Sequence, residues 1–299
     1  MLIYIWWALV FLVGLVVGSA LNVLIFRLAI GRSALWPSSH CFSCFNAIKW
    51  YDNLPIFGYL ILGGRCRKCH NPYSARYLIT ELLIGILFAM VFFLEMLAGV
   101  HALPGFASME ELIWIGGIPL EGWLLVLFHL IWLSFAWIAF GCARITQRIP
   151  VSVGMTALGL AFVRSLSYPW PWPTTPIDRQ FWMRDAMNSP LYGVQIWPIW
   201  YPTPASLPPD SELLGLMTCL AGAGLAWLPL RLMRRPAGEI AYAMSVGGLF
   251  GWQVMLIILL LSLALWSRIR PFGATIPLAT LIALLTWQWI GPLFYRCLM

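Results

Sequence analysis

The chain has 299 residues, 61% of them hydrophobic and only 10% charged, whereas an average soluble domain is roughly a quarter charged and under half apolar. That balance excludes an ordinary soluble globular domain. Two Lys and sixteen Arg against four Asp and seven Glu leave a net charge of +7. The basic residues stand between apolar blocks, so they read as flanks of membrane spans and not as a nucleic-acid-binding stripe.

The first block, Leu2 to Phe26, is 25 residues long and has no ionisable side chain except Tyr4. That exceeds the ~20 residues a helix needs to cross about 30 Å of hydrocarbon. No Lys or Arg precedes Arg27, so the cationic start of a cleaved signal peptide is missing and the block is expected to stay in the mature chain. Further apolar blocks run from about Leu78 to Ala98, Gly122 to Cys142, Ile149 to Val163, Leu213 to Leu230, Ile240 to Trp266 and Thr275 to Leu298. These predict an all-α polytopic bundle of seven spans, or eight if Gly247, Gly248 and Gly251 break the sixth block. The chain then divides into a first span (1–26), a cysteine-pair loop (27–77), spans two and three (78–142), a fourth-span region (143–164), a Pro/Trp-rich loop (165–211) and the C-terminal spans (212–299).

Charge sets the expected orientation. The first connection holds Arg27, Arg32, Lys49, Arg65, Arg67, Lys68 and Arg76 against the single acid Asp52, and positive connections lie inside. The next, 99–121, carries Glu110, Glu111 and Glu121 with no Lys or Arg, as an outside loop should. The N-terminus is predicted outside and the cysteine-pair loop in the cytoplasm. The 165–211 segment holds 10 of the 21 prolines, so it cannot be helical throughout. Its Trp residues read as interfacial anchors of an extracytoplasmic loop, with a peptide-binding groove as the sharper alternative. No internal repeat is evident by eye.

The strongest chemical signal is Cys41-x-x-Cys44, 21 intervening residues, then Cys66-x-x-Cys69. Each pair presents two thiolates from one tight turn, and two such turns close a tetrahedral shell around zinc with Zn–S bonds of about 2.3 Å. Arg65, Arg67 and Lys68 favour the thiolate forms. A reducing cytoplasmic setting favours a metal over disulfides. Structural zinc is the leading reading, with redox chemistry and unliganded thiols as alternatives. His40 and His70 adjoin the outer cysteines and are either substitute ligands or solvated loop residues. Cys142, Cys219 and Cys297 lie within apolar blocks and read as small core residues.

The run Gly18-Ser19-Ala20-Leu21-Asn22-Val23-Leu24-Ile25-Phe26-Arg27, the segment Lys49-Trp50-Tyr51-Asp52-Asn53-Leu54-Pro55, then Gly64-Arg65-Cys66-Arg67-Lys68-Cys69, Arg76-Tyr77 and Glu81 together resemble the N-terminal half of the type IV prepilin peptidases. These are bifunctional leader peptidases and N-methyltransferases of the bacterial inner membrane. The similarity is dense over residues 14 to 85. Gln147-Arg148-Ile149-Pro150, Gly247 through Trp252 and Arg270-Pro271-Phe272-Gly273 resemble later family segments in the right order.

The resemblance implies leader cleavage of prepilins or pseudopilins, followed by methylation of the new N-terminus with S-adenosylmethionine as donor. It also implies contact with the lipid bilayer and with pilus or type II secretion assembly proteins, and no nucleic-acid partner. Cleavage in this family needs two aspartates, one charged to take a proton from water and one neutral to donate. Counting back from Pro150 puts the first on Ala143; counting back from Trp252 puts the second on Glu239. Pro236 stands where the family has its first motif glycine, and Ala241 where it has lysine.

Glu239 keeps a carboxylate on a longer arm, and its plainer role is to favour the N-terminus of the sixth block by charge. No acid lies between Glu121 and Asp178. Glu81 and Glu95, in the second block, are the other acids of interest. A Glu81/Glu239 pair is the remaining route to a dyad, and the plainer role of Glu81 is to bond Arg76 or a neighbouring helix. His129 reads as a bundle hydrogen-bonding residue. Three functions follow: a peptidase with a rebuilt dyad, a methyltransferase without peptidase activity, or a silent relative that binds prepilins or assembly proteins.

Overall fold

The structure, a computed structural model, describes residues 2–33, 39–41, 43–93, 120–167, 209–269 and 271–298. Glu95, the acidic connection and nearly all of the Pro/Trp-rich segment lie outside the described residues. Among the described residues the elements are α1 (Leu2–Ala29), a single 3-10 turn (Trp50–Asn53), α2 (Phe57–Ile61), α3 (Arg76–Phe92), α4 (Leu120–Thr146), α5 (Val151–Ser167), α6 (Pro209–Leu232), α7 (Ala237–Trp266) and α8 (Phe272–Leu298). No strand occurs among these residues, only the isolated bridges His40–Ala47 and Arg65–Pro72. The expected all-α class holds, and the seven long helices follow the seven apolar blocks in order.

Continuous apolar sequence folds this way because a helix satisfies its own backbone where no water can. Tyr4–Ala29 (mean hydropathy 2.6) and Val126–Thr146 (1.9) are long and apolar enough to cross a bilayer, and Val151–Leu166, Cys219–Leu232, Val254–Trp266 and Phe272–Leu284 are shorter apolar segments. Tyr4, Trp7, Leu12, Val13 and Val16 of α1 are exposed, an outward apolar surface that suits lipid.

The chain forms two compact units, 1–93 and 94–299. In the first, α1 and α3 pair as an antiparallel hairpin. A Cβ on Gly14 would come within 2.8 Å of the Gly85 Cα, and one on Gly18 within 2.8 Å of the Glu81 Cα. Small residues thus let the backbones touch. Asn22 Nδ2 donates to the Tyr77 carbonyl at 3.1 Å and Trp7 Nε1 to that of Ala89 at 3.0 Å. The end of α1 is a Schellman motif: Arg32 N–H bonds the Arg27 carbonyl at 2.8 Å and Gly31 N–H that of Leu28 at 3.2 Å. Gly31 takes the left-handed φ of 70° that the motif requires.

In the second unit α7 is the central helix, packed by α5, α6 and α8. Gly238 abuts the Ile149 and Pro150 backbone, and Gly222 abuts Gly247. Trp132 of α4 stacks on Tyr242 of α7 (6.1 Å, 17°) and meets Phe250 edge-on (5.4 Å, 62°). The break expected in the sixth block falls at Gly251, whose φ of 76° and ψ of 175° are non-helical. Near it, the Ser165 hydroxyl of α5 is shared between the Ala161 carbonyl at 2.9 Å and the Gly248 carbonyl at 3.3 Å.

Candidate functional site

The four cysteines of the loop converge. The sulfurs of Cys41, Cys44, Cys66 and Cys69 all lie within 4.8 Å of one another, with Cys41–Cys69 at 3.8 Å and Cys44–Cys66 at 4.0 Å. A regular tetrahedron with ~2.3 Å Zn–S bonds has edges of about 3.8 Å. The donor set and its spacing therefore fit zinc.

Local backbone chemistry builds this shell from two equivalent turns. In the first, Phe45 N–H bonds the Cys41 carbonyl and Cys41 N–H the Asn46 carbonyl; in the second, His70 N–H bonds the Cys66 carbonyl and Cys66 N–H the Asn71 carbonyl, each at 2.9 Å. Phe45 and His70 occupy matching left-handed positions, φ 55° and 56°. The sequence carried this duplication as Cys-x-x-Cys-x-Asn, repeated at Cys41–Asn46 and Cys66–Asn71, and inspection by eye missed it. Asn71 Nδ2 bonds Ser43 Oγ across the two turns, and Lys68 Nζ bonds Asn46 Oδ1 at 3.1 Å. His40 packs on the Phe45 ring (6.2 Å) and His70 serves as the turn residue. Neither belongs to the four-sulfur group.

The thiols do not titrate alike. Backbone amides of Cys69 and Lys68, then the Tyr73 hydroxyl, hold Cys66 down to about 6. Cys41 is also lowered, first by the Cys44 amide. At Cys69 the Asn71 amide pulls downward, but burial and the three neighbouring thiols outweigh it and push the group up to about 11. Cys66 and Cys41 ionise readily while Cys69 resists, which is the electrostatic situation a divalent cation resolves.

The segment between the cysteine pairs is fastened to this centre. Arg67 Nε lies 3.0 Å from each Asp52 oxygen and its Nη2 2.6 Å from Oδ1. That bond holds the Asp52 carboxyl below its usual range. Glu81 is 8% exposed and accepts the Ile56 N–H at 2.8 Å. The partner expected from sequence was Arg76 or another helix; a loop amide takes the place because Ile56 has a left-handed φ of 62°, which turns its N–H toward α3.

The acid site of the second unit differs sharply. Ala143 and Glu239 are both fully buried. Glu239 lies in the first turn of α7, where a negative charge is favoured, but its side chain bonds a guanidinium and not the helix end. Arg235 Nε and Nη2 each reach Glu239 Oε2 at 2.8 Å. Arg235 is aimed there by the Schellman end of α6, where Arg235 N–H bonds the Leu230 carbonyl at 3.0 Å and Arg234 N–H that of Arg231 at 3.0 Å, with Arg234 left-handed at φ 52°. The guanidinium also sits 4.8 Å over the Phe272 ring.

Glu239 Oε1 has no hydrogen-bond partner among the described residues. It packs against Gly273, where a Cβ would approach it to 2.6 Å. Glu81 and Glu239 lie in separate units and each has its own partner. His129 is buried beside Phe128.

Residues 12–94 match the family model of the Bacterial Peptidase A24 N-terminal domain. Over 118 residues the chain is 38% identical to a prepilin leader peptidase/N-methyltransferase of Myxococcus xanthus (strain DK1622), covering 39% of this chain and 35% of the relative. Over 128 residues it is 38% identical to the protein of the same description from Klebsiella pneumoniae, covering 41% and 56%. A Pseudomonas putida protein, again so described, aligns at 25% identity over 306 residues, 92% of this chain and 86% of its own length. The chain thus spans about a third to little more than half of the first two relatives. No solved structure matches.

Proposed function

The chain belongs, through its N-terminal domain, to the type IV prepilin peptidase family, and from that premise we propose that it is a prepilin-directed N-methyltransferase of the bacterial inner membrane that does not cut leaders. The observation that carries this reading is the state of the acid site. Leader scission by an acid pair requires one carboxylate able to take a proton from water and a second able to give one. Glu239 is sealed from solvent and neutralised by Arg235, so it neither polarises water nor shares a proton. Ala143 offers a methyl group where the partner acid should stand.

The first unit, by contrast, keeps its working parts. Four cysteines, the Asp52–Arg67 clamp and Glu81 are all in place. Zinc held by Cys41, Cys44, Cys66 and Cys69 would cross-link the loop and leave no open coordination position, so its contribution is to shape. When bound, S-adenosylmethionine supplies the methyl group. The chain's part is to hold the donor and the pilin amine together and keep water from between them. The basic first connection supports a loop at the cytoplasmic surface with the N-terminus outside, where the emerging end of a membrane-anchored pilin helix would meet it. Pilus or type II secretion assembly proteins are the expected neighbours.

The test uses detergent-solubilised protein, a prepilin and a precut pilin. No leader release by mass is expected, together with labelled methyl transfer to the precut pilin that Glu239→Gln leaves intact. Leader release by the unmodified chain, lost in Glu239→Gln, would overturn the reading.

A further inference from the structure

A cavity opens in the first unit between the C-terminal half of α1, the start of α3 and the loop that follows the 3-10 turn, lined among others by Ser19, Asn22, Tyr59, Tyr73, Tyr77 and Glu81. We propose that this cavity is the S-adenosyl donor site, with Glu81 facing the ligand's cationic centre; the assignment rests on the methyl-transfer reading above. The chemical class is a small zwitterion that joins an onium charge, a carboxylate and an aromatic base.

Glu81 carries the argument. Its side chain is more than nine-tenths buried and lines the cavity, yet its hydrogen-bond partner is one neutral donor, the Ile56 amide on Oε2. The other oxygen has no partner among the described residues. A buried carboxylate with a single neutral hydrogen bond is a poorly compensated charge, and a cation entering the cavity would complete it. The other acid in the lining, Asp52, is already occupied by Arg67.

The backbone that presents this carboxylate is held in an uncommon state. Ile56 adopts φ 62°, ψ −54°, a conformation that costs a β-branched residue on the order of 1–3 kcal/mol and that persists where surrounding structure enforces it. Three bonds hold it: Ile56 N–H to Glu81, Phe57 N–H to the Pro55 carbonyl at 2.6 Å and Gly58 N–H to that of Leu54 at 2.8 Å. Together they fix the turn after Leu54, a cavity-lining residue.

The remaining walls supply the rest of the ligand's chemistry. Arg32 also lines the space and brings the positive charge that a carboxylate needs. Tyr59, Tyr73 and Tyr77 give aromatic faces for a base or an onium group. Gly64, at φ 66°, lets the Tyr59 ring lie where a Cβ would collide at 2.8 Å. Tyr73 N–H bonds the Gly64 carbonyl at 2.6 Å, two residues before Cys66, so the cavity wall is continuous with the cysteine centre.

The experiment is calorimetric titration of the zinc-loaded full chain in detergent with S-adenosylmethionine and with S-adenosylhomocysteine, which lacks the sulfonium charge. Wild type should prefer the charged ligand by about tenfold, the scale of a charge-assisted buried contact. Glu81→Gln, which still offers Ile56 an acceptor oxygen, should abolish the preference while zinc content and melting midpoint are kept. A preference that persists in Glu81→Gln, or no preference in wild type, overturns the proposal. If Glu81→Gln loses zinc, Ser19→Leu decides: it fills the cavity without touching the carboxylate, so unchanged affinity there also overturns it. Methyl transfer without charge-selective binding removes this site alone, and charge-selective binding without methyl transfer removes the methyl-transfer reading alone.

Discussion

Replacing Arg235 with alanine should destabilise the second unit far more than its position at a helix end implies. Glu239 is 0% exposed and Arg235 22% exposed at the side chain, so the substitution strands a carboxylate in a dry site with neither oxygen bonded. Truncating one partner of a buried pair costs ~3–5 kcal/mol. Partial exposure of Arg235 lets water relieve some of this and places the value near ~3 kcal/mol. Loss of the contact with Phe272 adds roughly 0.5–1 kcal/mol. At about 2–4 °C per kcal/mol for a unit of this size, the melting midpoint in detergent should fall by roughly 7–16 °C. Glu239→Gln in the same background should recover much of that fall, because a neutral amide costs less to strand. A double-mutant cycle then yields a coupling of about 2 kcal/mol. If Arg235→Ala melts within about 2 °C of wild type, or if Glu239→Gln gives no rescue, the claim that this carboxylate is sealed and spent on one guanidinium is wrong.

Zinc binding should release protons at pH 7 and strengthen as pH rises, because Cys66 at about 6 is already largely ionised while Cys69 at about 11 is not. Calorimetric heats that change between buffers of different ionisation enthalpy would register this, and buffer-independent heats would contradict it. Gly238→Ala should cost ~1–3 kcal/mol, since the new Cβ would lie 2.9 Å from the Pro150 carbonyl carbon and oxygen. Gly248→Ala is its control: beyond its own helix backbone, no heavy atom of the described residues lies within 4 Å of that Cβ position, and helix propensity favours the change by up to about 1 kcal/mol. Thermal melts of the two variants should move in opposite directions.

Much of the architecture was legible because hydropathy acts along the whole length of a helix. Seven apolar blocks gave seven long helices, and the glycine cluster in the sixth located its break within a few residues. The convergence of the four cysteines was equally readable, since Cys-x-x-Cys spacing dictates a turn and two turns need a common centre. Residue partners were less accessible. Glu81 bonds Ile56 because one backbone torsion is left-handed, and no side-chain pattern announces that torsion in a β-branched residue. The Arg235–Glu239 pair did have a signal, opposite charges four positions apart, but it straddles Pro236 at a helix entrance. Only the Schellman ending of the preceding helix brings the guanidinium round.

The bend at Gly251 has implications for how this protein can change over evolutionary time. At ~1.5 Å per residue the 30 residues of α7 would measure about 45 Å if straight, and neither arm alone traverses ~30 Å of hydrocarbon. The elbow interrupts the helix midway, among buried neighbours, where an unsatisfied peptide group is expensive. Ser165 answers the Gly248 carbonyl from one side, and Gly222 gives Gly247 room on another. A side chain at either Gly222 or Gly247 collides with the other's backbone, so the two glycines should vary as a set, or not at all.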